Sequence, residues 1–273
     1  MAVNDISLTS GMRSNLLQLQ TTSKLIDRTQ ERLSTGKQVN SALDNPTNFF
    51  AAQAHMNRAS DFSVRKDGMS EAIQTVKAAD AGITAISALV EAAKGLASAA
   101  LSTSSTTDRA SYATQFDSLL TQIDDLANDS SYRGTNLLAA DTLTVNFNED
   151  ASAKLEVEGI DATTASTGLN IAGADGSWAT STNIAAATTD LTAASNTLRA
   201  ASKSLANNLN IITTRQNFTD AMIGTLQTGS DNLTLADMNA EGANMLMLQT
   251  RQNLGTTALS LSSQAAQSVL RLF

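Results

Sequence analysis

The chain has 273 residues, enough for one large or two modest domains, and carries a net charge of −8. It has no Cys, one His (His55) and one Trp (Trp178), which excludes disulfides and thiol chemistry and leaves little material for general-base catalysis or a zinc site. The acidic balance argues against a nucleic-acid partner, since phosphate binding needs clustered Lys and Arg.

Only 16% of residues are charged, below the usual quarter, and Ala, Ser, Thr, Asn and Gln fill the gap. With one Pro and few aromatics, the chain reads as mainly α, with small side chains between closely spaced helices. No stretch reaches the ~18 consecutive apolar residues of a membrane span, so no membrane insertion is expected. The opening MAVNDISLTSG has neither a basic start nor an apolar core, so no cleavable secretory signal is expected.

The first helix is predicted over Ile6 to Leu33. Met12, Leu19, Ile26 and Leu33 recur every seven residues, with Leu16 in an intervening slot that Ser23 and Gln30 continue. Spacings alternating between three and four draw one seam along a helix. Gly36 then interrupts, and LSTGKQVNSALDN reads as a connector ending at Asn45-Pro46, a helix start with Asn as cap and Pro in the first turn.

The longest periodic stretch follows. Phe62, Met69, Val76, Ile83, Val90 and Ala97 fall every seven residues, and Ala72, Ala79, Ile86, Ala93 and Ala100 fill the companion slot. A helix from about Pro46 to about Leu101 would be roughly 80 Å long, which implies an elongated rod. LSTSSTTDR breaks it, and a shorter helix carries Tyr112, Phe116, Leu119, Ile123 and Leu126 to an end near 128–134.

The period then changes. Leu143, Val145 and Phe147 alternate with polar residues, NEDAS supplies a turn, and Leu155 and Val157 alternate again, which predicts a β-hairpin. The Gly-, Ser- and Thr-rich stretch 159–182 reads as surface loop. Helix returns near Thr189, with Leu191, Leu198, Leu205, Ile212, Thr219 and Leu226 every seven residues and Leu209 and Ile223 between them. Gly229-Ser230 marks a break, and a last helix runs from about Leu233 with Leu254, Ala258, Leu261, Ala265, Val269 and Leu272 as its seam.

The expected architecture is therefore an elongated antiparallel helical bundle or coiled coil with a small hairpin. Residues 1–44 and 231–273 form the end segments and residues 45–230 the rod, with hairpin and loop at about 140–185. The middle helices can bundle with each other. An isolated two-helix ribbon of the ends would leave Leu8, Leu17, Leu25, Met245 and Leu259 unburied, on faces almost without charge. Helices of ordinary composition are marginal in water without tertiary contacts. Both ends are therefore expected to be disordered in the monomer and to fold on assembly. A heterologous contact that does not close generates an open filament of identical copies.

Other chemistries fare poorly. His55 has no second His with which to hold a metal, and Gly36-Lys37 lacks the P-loop spacing, with Glu31 and Gln38 at the flanking positions. Glu156 and Glu158 read as a solvated strand face, Asp175-Gly176 as a turn without the ladder of a calcium loop, and Met245–Leu248 as packing rather than a promiscuous Met-rich surface. No catalytic, cofactor-binding or metal-binding residues are expected, and the chain is read as a non-enzyme.

LSTGKQVNSALDNP after the amino-terminal heptads resembles the flagellin signature, in the variant typical of alphaproteobacterial flagellins. Three further segments agree: Arg133-Gly134-Thr135-Asn136-Leu137-Leu138 after the short helix, Leu235-Ala236-Asp237 before the last one, and the ending SQAAQSVLRLF. The resemblance covers about 1–140 and 185–273. It implies a structural subunit that self-assembles into the flagellar filament, with the terminal helices as an inner coiled-coil layer and the remainder around them. It also implies extracellular location after unfolded export through the flagellar type III apparatus. The implied partners are other copies of the chain, the hook–filament junction and cap proteins, and an export chaperone; the alternative is the junction protein itself. The assembly seams would be Met12, Leu16, Leu19, Ile26 and Leu33 with Leu254, Ala258, Leu261, Ala265, Val269 and Leu272.

One departure concerns the family's innate-immune epitope, which has an Arg-Glu-Leu core. The matching run here is Lys94-Gly95-Leu96, and a Glu from the short helix is replaced by Gln115. Loss of the acidic groups and the planar Arg fork implies weak activation of the vertebrate flagellin receptor.

Overall fold

The computed structural model describes residues 10–270. In chain order these form α1 (Ser10–Thr35), α2 (Pro46–Ser102), α3 (Thr106–Asp129), β1 (Thr142–Asn146), β2 (Lys154–Glu158), a 3-10 turn (Asp175–Trp178), α4 (Ser181–Thr234) and α5 (Met238–Leu270). The fold is mainly α with one small antiparallel sheet. Two compact units emerge, one of Met1–Asn57 with Thr225–Phe273 and one of Arg58–Gly224. The division falls inside α2 and α4, both of which run from one unit into the other.

In the Arg58–Gly224 unit, both heptad stripes of α2 are buried from Phe62 to Ala100. From Met69 onward they share one continuous core with Ala113, Phe116, Leu120, Ile123 and Ala127 of α3 and with Ile184 to Ile212 along α4. A stripe repeating every three or four residues can stay buried from Phe62 to Ala100 only if its neighbours run alongside. Polar pairs fix the register between α2 and α4: Gln216 donates to Ser70 (2.7 Å), Ser202 to Asp80 (3.0 Å), and Lys66 pairs with Asp220. Part of α2 is apolar enough by composition to cross a membrane, with mean hydropathy 1.3 over 18 residues. Its apolar stripe, however, lies in the protein's own core, while Glu91 and Lys94 pair at 2.8 Å beside it.

The hairpin pairs Leu143 with Val157 and Val145 with Leu155. Val145 and Val157 point into the core, and Phe147 continues the pattern one residue past β1. Asn136 explains the Gly134-x-x-Leu137-Leu138 segment. Its amide donates to the terminal carbonyls of α3, Ala127 (2.8 Å) and Asn128 (3.0 Å), and its oxygen accepts from Leu138 N–H (2.9 Å). One buried amide thus closes the helix end and turns the chain so that both leucines enter the core.

The stretch 159–182 is not the surface loop expected from its composition. Ala162, Leu169, Ile171 and Trp178 are all buried, and the Trp178 ring lies 4.8 Å from that of Phe116. Its backbone is tied to α3, where Asp124 accepts from Thr164 N–H (2.6 Å) and Asp117 from Ala174 N–H (2.8 Å). Polar residues here bond locally and free four apolar ones, spaced by seven, two and seven residues, to pack without a continuous helix or strand. Helix α4 also begins earlier than expected, at Ser181.

In the other unit, α1 ends at Gly36, whose φ of +69° is a left-handed conformation that L side chains rarely adopt. Asn45 caps α2 by accepting from Asn48 N–H at 3.1 Å, as its sequence predicts. No break occurs at Gly229-Ser230. Helix α4 runs on to Thr234, and the turn falls at Leu235–Asp237, where Asp237 caps α5 through Asn239 and Ala240 N–H (2.9 and 3.1 Å).

Candidate assembly interface

Helices α1 and α5 lie side by side. Their junction begins at the connectors, where Gln38 and Val39 donate to the Thr234 carbonyl (2.7 and 3.2 Å) and Ala236 donates to that of Gly36 (2.9 Å). These bonds clamp the residue after α1 to the end of α4. They account for the conformational part played by the Thr35-Gly36-Lys37 and Leu235-Ala236-Asp237 segments.

Beyond the clamp, Arg32 donates to Glu241 at 2.9 Å, with side chains only 16% and 12% exposed. This pair joins the first turn of α5 to the last turn of α1. Further along, Gly255 sits against Leu19. A Cβ there would lie 2.6 Å from a Leu19 methyl, so the small residue sets how closely the helices approach.

On α1 the sevenfold row of Met12, Leu19, Ile26 and Leu33 faces inward, Met12 buried and the others half-buried. The companion row is displaced by one position from the expected one. Thr22 and Thr29 are buried, whereas Leu16 is 39% exposed. Thr22 satisfies its hydroxyl by donating to the Gln18 carbonyl at 2.9 Å, so its burial leaves no polar group unpaired. A hydropathy reading passes over a residue of this kind.

On α5 the row toward α1 holds Glu241, Met245, Leu248, Gly255 and Leu259, all buried or half-buried. Leu254 and Leu261 are 66% and 62% exposed, and Ala258 and Ala265 are exposed as well. Leu254 and Ala258 border a groove of about 260 Å³ that reaches Asn15, Leu19 and Thr22 of α1. Leu272 and the side chain of Val269 lie outside the described residues, as do Ile6 and Leu8.

Leu16, Leu17 and Leu25 of α1 and Leu246, Met247, Leu254 and Leu261 of α5 are thus exposed together on one helix pair. Between Met245 and Ser268, α5 has one charged side chain, Arg251. An apolar surface this extensive on a two-helix pair marks an interaction site.

The residues weighed for other chemistry are scattered. His55 is half-buried and approaches Gly229. Glu156 and Glu158 are exposed on β2, and Lys154 beside Glu156 (2.6 Å) holds its carboxyl below the usual range. Asp175-Gly176 forms the 3-10 turn and accepts from Asn183. Lys94, Gly95 and Gln115 are at least partly accessible on α2 and α3.

A helical core built on heptads, a clamp at the connectors and an exposed apolar helix pair define a mainly α protein with a large interaction surface. Residues 3–142 match the family described as the bacterial flagellin N-terminal helical region. Over their whole lengths, the chain is 32% identical to flagellin FljO and 31% identical to flagellin FljM of Caulobacter vibrioides. It is 28% identical to a flagellin of Brucella melitensis, covering 93% of this chain and 94% of that one. The chain belongs to the flagellin family, the structural subunits of the extracellular bacterial flagellar filament.

Proposed function

We propose that this flagellin polymerises with other copies of itself through the α1–α5 pair, and that the resulting filament serves swimming. The observation that carries this reading is the exposure of Leu17, Leu246, Leu254 and Leu261 on the outer faces of two helices whose inner faces are already packed on each other. Covering them with the same helices of neighbouring copies removes the apolar surface from water, at about 25 cal/mol per Å². A neighbour need not be mirrored in return, so the contact propagates into an open helix. Met12, Leu19, Ile26 and Leu33 hold the pair together within one subunit, and Leu16, Leu254, Ala258, Leu261, Ala265, Val269 and Leu272 meet other copies.

The free chain reaches its site of assembly by unfolded export through the flagellar type III apparatus, and the absence of Cys suits such a passage. An export chaperone covers the carboxyl-terminal helix before assembly, and the hook–filament junction and cap proteins bound the polymer at its ends. Both terminal segments take up their paired helical form on assembly. Strong hydrogen-exchange protection of both segments in dilute monomer would overturn that last point.

The central test is polymerisation. Purified chain given seeds or a precipitant should form long filaments by negative stain. A variant lacking the last ten residues should keep its helical circular dichroism and form none. Short caps, or no polymer from the full chain, would favour a junction role instead.

A further inference from the structure

A cleft of about 550 Å³ opens beside the hairpin tip, between α2 and α4 of the Arg58–Gly224 unit. Phe62, Phe147 and Phe218 line it, with Phe218 exposed. Arg58 lies over the Phe62 ring at 5.3 Å and Arg215 over the Phe147 ring at 5.2 Å. The two arginines differ in their pairing. Arg58 donates to Glu149 at 2.8 Å, while Arg215 is in no ion pair among the described residues. The cleft therefore offers aromatic walls, the Arg215 cation and, at the hairpin tip, the Asp150 carboxylate, whose Oδ1 accepts from Ser152 N–H and hydroxyl. On its Arg215 side it fits an apolar ligand group with a carboxylate beside it.

The chain itself displays such a group. Leu43, in the connector before α2, is 97% exposed, the most exposed large apolar side chain among the described residues. It is also the only one of those exposed residues followed directly by a carboxylate, Asp44. The turn that carries it is held in place. Asp44 Oδ2 accepts from Asn40 N–H (3.1 Å), Ser41 N–H (3.0 Å) and the Ser41 hydroxyl (3.2 Å). All three bonds use one oxygen, so Oδ1 of this exposed residue has no hydrogen bond among the described residues. A preorganised turn binds without the ordering cost of a flexible one. Its own cleft does not hold Leu43, since that side chain is exposed.

We propose that the Leu43-Asp44 turn of one copy docks into the Phe62–Phe147–Phe218 cleft of a second copy, with Asp44 meeting Arg215 there. The contact rests on the self-assembly reading and adds to it a second, chemically distinct contact outside the α1–α5 pair. It is also heterologous, turn to cleft, so it propagates in the same sense as the filament. Burial of one Leu together with a charge-assisted bond makes it strong enough to set the concentration at which filaments form.

The chain's lack of Cys makes the test direct. Single-cysteine variants Leu43→Cys and Phe218→Cys are mixed, polymerised and oxidised, with Leu101→Cys replacing Phe218→Cys in a parallel mixture. The expected result is a covalent dimer in the first mixture only, and only after polymerisation. Filaments that form without the dimer, or with equal dimer in both mixtures, overturn the docking while leaving self-assembly intact. Leu43→Asp and Leu43→Met supply a second readout. Leu43 touches almost nothing in its own chain, so both fold as wild type by circular dichroism. The critical concentration should rise about ten-fold or more for Leu43→Asp and stay near wild type for Leu43→Met. An unchanged critical concentration in Leu43→Asp overturns the proposal. Wild-type chain that forms no filaments overturns the assembly reading, and the docking falls with it.

Discussion

Arg32 and Glu241 show what a single pair does at the root of the helix pair. Both are largely buried at 2.9 Å, so removing one partner leaves the other charge without compensation. Glu241→Ala should loosen α1 from α5 by about 3 kcal/mol, read as faster hydrogen exchange across both helices in the polymer. Gly255→Val should act on the same junction by volume, since even a Cβ would press on Leu19. A clearly raised critical concentration with unchanged melting of the Arg58–Gly224 unit is the expected result. Asp161 is one acid-sensitive point. Bonds from the Thr163 hydroxyl and N–H and from the Thr167 hydroxyl hold its carboxyl below the usual value. A depressed carboxyl stabilises the fold above its unfolded pKa, and that contribution is lost as pH falls through the folded value. Exchange protection across residues 161–171 should therefore be flat from pH 7 to 5 and drop below about pH 4. Asp161→Asn should remove that part of the dependence.

Among the elements, the heptad helices and the hairpin were legible because their periods repeat over many residues. All eleven residues of the two α2 stripes are buried, and Val145 and Val157 face inward. The stretch 159–182 was not legible. Its buried residues stand at 162, 169, 171 and 178, spacings of seven, two and seven without the intermediate three- or four-residue positions that mark a helix, and they gain meaning only from the backbone bonds to Asp117 and Asp124. Trp178→Ala tests its weight. Removing a fully buried Trp should cost about 3–5 kcal/mol, seen as a lower melting temperature, with most helix signal retained below the transition. The α4–α5 turn was misplaced for a related reason. Gly229-Ser230 is a plausible break locally, but the cap at Asp237 and the clamp to Gly36 and Gln38 decide where the chain turns.

At the scale of the whole molecule, surface chemistry decides what the subunit meets. Lys94 pairs within α2 with Glu91, Gly95 offers no side chain, and Gln115 is neutral. A receptor reading charge complementarity at this site finds little to hold. Reporter cells carrying the vertebrate flagellin receptor should respond only at concentrations far above those needed for a flagellin with the Arg-Glu-Leu run. Robust signalling at low concentration would refute this. Truncation of the last ten residues belongs to the same scale, because it should remove intersubunit surface while leaving the Arg58–Gly224 core untouched.

The sequence alone determined the mainly helical class, the hairpin, the core stripes of α2 and α4 and the family, through periodicity and four ordered motifs. It also located the sevenfold row of α1, since large aliphatic side chains every seven residues have one face to share. Tertiary structure alone decided the companion row. Thr22 serves there as an apolar residue once its hydroxyl is bonded to its own helix, and Leu16, the better candidate by hydropathy, is left facing outward. The same holds for Gly255, whose importance lies in the Leu19 side chain it admits. Periodicity reports which residues avoid water along one helix. Which of them meet within a subunit depends on the distance and rotation of the second helix, and those exist only in the folded pair.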